Sequence, residues 1–108
     1  MYMISFYVPA TALDSVKTAM FNSGAGKIGK YDNCCWQTQG HGQFRPLKGS
    51  SPFTGTKDKI EQVEEFKVEM VCEKENLKSV LNSLVCSHPY EEPAYHAIEV
   101  VTLKDLKS

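Results

Sequence analysis

One hundred and eight residues, 42% apolar and 23% charged, describe one globular domain. A chain of this length buries about two-thirds of the surface it exposes when unfolded. A net charge of −1 excludes a general nucleic-acid binder, which is markedly basic, and no stretch has the length and apolarity of a membrane span. The charge is uneven: residues 1–50 carry five basic and two acidic side chains, residues 51–108 seven and eleven.

The opening "MYMISFYVPA" lacks a basic n-region and a long apolar core, so no signal peptide is expected and the predicted location is cytoplasmic. Within it, Tyr2–Val8 alternates Met3, Ser5 and Tyr7 with Ile4, Phe6 and Val8. Both sets are largely apolar, which predicts a central strand ended by Pro9. "TALDSVKTAMFNSG" places Leu13, Val16, Ala19 and Met20 near helical spacing, with Thr11 as predicted N-cap and Gly24 as the stop. "NCCWQTQ" reads as a second strand and "HGQFRPL" as its hairpin partner across Gly40 and Gly42. A Gly/Ser/Pro-rich connection, "KGSSPFTGT", follows.

"EQVEEFKVEMVCE" sets Phe66, Val68, Met70 and Cys72 at period two opposite Lys67, Glu69 and Glu73, a long strand with one wet face. Leu77, Val80, Leu81, Leu84 and Val85 then form a helical stripe, stopped by Pro89, and "AYHAIEVVTL" supplies the last strand. The order is β-α-β-β-(β)-α-β, with a hairpin strand optional. Two β-α-β halves with both helices on one face of an antiparallel sheet make a ferredoxin-like α+β domain over residues 1–103, with 104–108 a short tail. Cys34, Cys35, Cys72 and Cys86 form no C-x-x-C pair and read as reduced thiols, mostly buried as small apolar groups.

Two stretches carry candidate chemistry. In "SGAGKIGKYD", Gly24, Gly26 and Gly29 match a dinucleotide fingerprint, and Gly24, Gly29 and Lys30 match a P-loop up to Tyr31, which replaces its Ser or Thr. Both motifs need glycines that leave a strand and open a helix, so that phosphate meets free N–H groups. Here the glycines leave a helix and lead toward a strand, and the nearby helix end offers carbonyls instead. Nucleotide binding of either type is excluded on that ground. The glycines serve either a helix C-cap with a tight connection or a backbone nest for an anion, aided by Lys27 and Lys30.

In "SHPYEEPAYH", His88, Glu91 and Glu92 bring an imidazole to two carboxylates between stiffening prolines, flanked by Tyr90 and Tyr95. The bland reading is a rigid turn in which His88, as a cation, suits the helix C-terminus. His88 and Glu92 are weak metal candidates, since no H-x-x-x-H or H-E-x-x-H spacing supplies further ligands. Arg45, the only arginine, suits recognition of a carboxylate or phosphate.

"GAGKIGKYDNCCWQTQGHGQFRPLKGSSPFTG" (Gly24–Gly55) and "HPYEEPAY" (His88–Tyr95) resemble the small domain inserted in bacterial proteins of the NGG-interacting-factor-three-like family. Those proteins are hexamers with a dinuclear metal centre, one branch being labelled a GTP cyclohydrolase homologue. The resemblance covers essentially the whole chain. The flanking halves that hold the metals have no counterpart in it, so the dinuclear site and its hydrolase activity are not expected here.

The resemblance implies a fold like that of the trimeric CutA and PII signalling proteins, and hence a homotrimer with clefts between subunits. The leading expectation is a non-enzymatic domain binding a small, anionic ligand without a cofactor. Its cleft would combine Gly24, Gly26, Lys27, Gly29, Tyr31 and Arg45 with His88, Tyr90, Glu91 and Glu92. The alternatives are divalent-metal binding or tolerance, by analogy with CutA, and a trimerisation or protein-interaction module. An enzyme is the least supported class, because no activated nucleophile or oxyanion hole is recognisable. No nucleic-acid or membrane partner is expected.

Overall fold

The computed structural model describes residues 1–106. The chain forms β1 (Tyr2–Pro9), α1 (Leu13–Asn22), β2 (Trp36–Phe44), β3 (Glu61–Cys72), α2 (Lys74–Ser87) and β4 (Tyr95–Glu99). The four strands make one sheet in the order β2-β3-β1-β4, and every neighbouring pair is antiparallel. This is the ferredoxin-like arrangement, an α+β fold without the optional extra strand among the described residues. Lys107 and Ser108, the end of the predicted tail, lie outside the described residues.

The period-two pattern decides which face is covered. Ile4, Phe6 and Val8 of β1 and Val68, Met70 and Cys72 of β3 are buried together with Val16 and Met20 of α1 and Val80 and Leu84 of α2. Both helices therefore sit on one face of the sheet. Fully burying side chains of this kind stabilises by about 1.5–3 kcal/mol each, before the entropy of ordering the chain is counted. Leu77 and Leu81 also pack on the core, but Val85, read above as part of the same stripe, is 42% exposed. The stripe is thus one residue narrower than its sequence.

Two further expectations need correction. Thr11 does not cap α1: a single 3-10 turn over Ala10–Ala12 follows Pro9, and Ala12 takes the N-cap position without a side-chain hydrogen bond. Nor do "NCCWQTQ" and "HGQFRPL" pair as a hairpin. Gly40 and Gly42 both lie inside the single strand β2, opposite Glu65 and Val63 of β3. Neither takes the positive φ that a tight hairpin turn favours, and β3 is long enough to pair with all of β2.

Strand β4 pairs with β1 only as far as Phe6↔Tyr95, leaving Tyr7–Pro9 without a strand on that side. The segment from His88 to Ala94 passes this free end on its way from α2 to β4. Residues 45–60, a long connection for two paired strands, lie at the same end of the sheet as the start of β3. These two irregular segments shape the candidate site.

Candidate functional site

His88 anchors the first segment. Its backbone N–H donates to the Leu84 carbonyl and closes α2, and the residue is only 7% exposed. The ring Nδ1 accepts the Tyr90 backbone N–H at 3.1 Å, so Nε2 carries the proton and donates to the Tyr7 carbonyl at 2.7 Å. That carbonyl belongs to the stretch of β1 that β4 does not cover. Burial holds the imidazole below its ordinary pKa, against the opposing pull of the Tyr7 carbonyl and Glu65. His88 is therefore a neutral strut, not the helix-capping cation expected from sequence, and neither ring nitrogen is left for a metal.

Tyr90 stacks at a tilt on the His88 ring, 4.8 Å between centroids, and approaches the Phe53 ring at 6.1 Å. Its hydroxyl donates to Glu65 Oε2 at 3.1 Å. Burial first, then Glu65, push this hydroxyl up to about 12, so it stays protonated and donating. Glu65 projects from the open face of the sheet, diagonal to Gly42, and its carboxylate occupies the space a β-carbon at position 42 would fill. Glu91 reaches across to the other segment, where its Oε1 accepts the Ser51 N–H at 2.9 Å.

Together these groups border a groove of about 380 Å³. Its walls include Phe44, Pro46, Leu47, Pro52 and Phe53, and its floor Tyr7 and Glu65. Arg45, Tyr90, Glu91 and Glu92 also line it, and His88, outside the lining, holds Tyr90 in place. Four of the ten residues named from sequence are thus brought to one groove. Its charged lining is three carboxylates against the Arg45 guanidinium, a balance that opposes the anionic ligand expected above.

The glycine loop lies elsewhere. Helix α1 ends in a Schellman motif: Ala25 N–H donates to the Met20 carbonyl and Gly24 N–H to that of Phe21, with Gly24 at φ +114°. Gly26 donates to the Val71 carbonyl and accepts from Cys34 N–H, both at 2.8 Å. At φ +79°, a β-carbon there would lie 2.7 Å from the Phe21 ring and 2.9 Å from the Cys34 carbonyl oxygen. Gly29 and Lys30 tip a small turn closed by two hydrogen bonds between Ile28 and Tyr31. The amides of Gly24, Ala25, Gly26 and Ile28 are all engaged within the chain, which removes most of the donors an anion nest needs. Lys27 and Tyr31 are exposed. Val71, which holds this loop, stands six residues along β3 from Glu65, about 20 Å at strand spacing. Within one chain the loop and the groove do not meet.

Sequence reading missed Tyr7, Phe44, Phe53 and Glu65. A glycine inside a strand opposite an acidic run was the one available signal, because only register places Gly42 beside Glu65. Among the described residues no three His, Cys, Asp or Glu side chains are grouped to hold a metal ion, and no helix is long and apolar enough to cross a membrane. Cys72 is buried, Cys34 and Cys35 are half-buried and Cys86 is exposed; all four are free thiols.

The order of strands and the one-sided helix layer define a CutA/PII-like α+β domain. The periplasmic divalent cation tolerance protein CutA from Archaeoglobus fulgidus superposes with a TM-score of 0.69 over 97% of this chain and 90% of its own, at 18% identity. The PII-like protein CutA from Nostoc gives 0.66 over 93% and 81%, at 15% identity. The sequence itself is similar to the GTP cyclohydrolase 1 type 2 homolog of Bacillus subtilis, 42% identical over 92 residues, covering 85% of this chain and 25% of that protein. A Bacillus cereus protein related to NIF3 (the NGG-interacting-factor-three-like family) matches in structure with a TM-score of 0.77 and 32% identity, over 89% of this chain and 24% of its own. No protein-family model matches. The chain is a CutA/PII-like domain related to one segment of the NIF3-related proteins, and it spans about a quarter of the length of the curated relatives it matches.

Proposed function

We propose that this chain is a non-catalytic, self-associating domain that binds a small molecule in the groove between residues 45–54 and the "HPYEEP" turn. The observation that carries this reading is the set of unspent charges around an apolar hollow. Arg45, Glu65, Glu91 and Glu92 all line the groove, yet the ion pair among the described residues is Lys104–Glu73, just past the far end of β3 and on the exposed surface. Convergent polar groups on a mostly apolar concavity are the usual form of a ligand site. The engaged ring of His88 speaks against acid–base chemistry and against the metal-tolerance alternative at this site.

Self-association, as a homotrimer, follows the CutA/PII resemblance. Its support here is an open sheet face that exposes Trp36 (61%) and Ile98, and a β2 edge without a partner strand among the described residues. Native mass spectrometry of the protein purified gently from its own cells tests both parts. A trimer with a reproducible added organic mass is the expected result. A bare trimer favours the trimerisation-module alternative, an added divalent ion favours the metal reading, and a monomer at micromolar concentration contradicts the assembly.

A further inference from the structure

The walls of the groove and its charges describe two parts of one ligand. Phe44, Phe53 and Tyr90 present aromatic surface, which accepts apolar groups and attracts cations. The carboxylates of Glu65 and Glu91 are each held by a single hydrogen bond, from Tyr90 Oη and Ser51 N–H respectively. Each keeps its second oxygen free of hydrogen bonds among the described residues. Gly42 contributes to this arrangement, since any side chain there would displace the Glu65 carboxylate. Glu65 is half-buried with no cation partner among the described residues, which is costly, and a ligand that supplies the cation recovers that cost; Glu91, at the exposed rim, adds a second negative charge. At about 380 Å³, the groove lies at the small end of the usual range for ligand sites. That size suits a one- or two-ring compound.

We propose that the groove takes a small organic ammonium ion: a protonated amine on an aromatic or bulky apolar body. The ammonium pairs with the free oxygens of Glu65 and Glu91, and the body lies against Phe44 and Phe53. An anion of the same shape meets the half-buried Glu65 and the exposed Glu91 and Glu92, with Arg45 alone to receive it. The inference rests on the ligand-groove reading above and adds to it the sign of the ligand's charge.

The test is a titration of the isotope-labelled chain, followed by amide chemical shifts, with tryptamine, tryptophol and indole-3-propionate. These probes share an indole and a short linker and differ at neutral pH in being cationic, neutral and anionic. Tryptamine is expected to shift groove amides and to bind about ten-fold or more tightly than indole-3-propionate. Glu65→Gln/Glu91→Gln, which preserves shape, is expected to erase most of that preference, and retained spectral dispersion shows that the variant folds. Equal affinity for the three probes at the groove, or tighter binding of the anion, overturns the charge assignment and leaves the ligand groove standing. Groove shifts that depend on protein concentration without any probe identify a second copy as the occupant and overturn the amine. No shift from any probe overturns both readings.

Discussion

The glycine loop and the groove look equally functional in the sequence, and the structure uses them in opposite ways. Around Gly24 and Gly26 the backbone groups are spent on the Met20, Phe21, Val71 and Cys34 partners, and side chains are absent there because neighbours occupy the space. Around Glu65 and Glu91 the side chains are fixed by one bond each, with acceptor capacity left over beside an apolar hollow. A demanding backbone with nothing left to offer marks a scaffold. Fixed side chains with unspent atoms mark a site.

The contrast is tested hardest at Gly26. Gly26→Ala puts a β-carbon against the Phe21 ring and the Cys34 carbonyl at a positive φ, so a loss of about 3 kcal/mol or more is expected in denaturant melts. A near-neutral result would remove the structural explanation for that glycine.

His88→Ala comes next, because it strands the Tyr7 carbonyl and the Tyr90 N–H at once; about 2–3 kcal/mol is expected. The same residue gives the wild-type protein a pH dependence with a defined sign. The folded ring resists protonation below its ordinary value of 6.5, while the unfolded ring does not. Stability from this group is therefore complete above pH 6.5 and falls as pH drops from there toward the lower folded-state pKa. Urea midpoints measured across this window should show that component in the wild type and lack it in His88→Ala.

Gly29→Ala probes the loop more gently. The glycine sits at φ +57°, and no atom stands within 4 Å of where an alanine methyl would point. Only the left-handed backbone preference of about 1 kcal/mol is lost. Tryptamine affinity should be unchanged, and a drop in it would restore the loop to the site. The smallest stability effect belongs to Glu65→Gln, about 0.5 kcal/mol, because the amide oxygen still accepts from Tyr90. Calorimetric titration should nonetheless show its tryptamine affinity clearly reduced.

Local periodicity makes most of the fold legible. Phe66, Val68, Met70 and Cys72 announce β3 and its buried face, and Leu77, Val80, Leu81 and Leu84 announce α2, because burial selects side chains at the period of the element itself. Strand β2 is hidden where Gly40 and Gly42 imitate turn residues; their role depends on β3, more than twenty positions away in register. The candidate site is half legible for the same reason. The "HPYEEP" turn is a compact local pattern, whereas Glu65, Tyr7 and the residues 44–54 join it only through strand pairing and a connection without periodicity.

The most direct test of this division between scaffold and site is hydrogen–deuterium exchange of the intact chain with and without saturating tryptamine. Added protection over residues 43–54 and 88–94, and none over residues 24–31, is the predicted result. Protection confined to residues 24–31 would contradict the division.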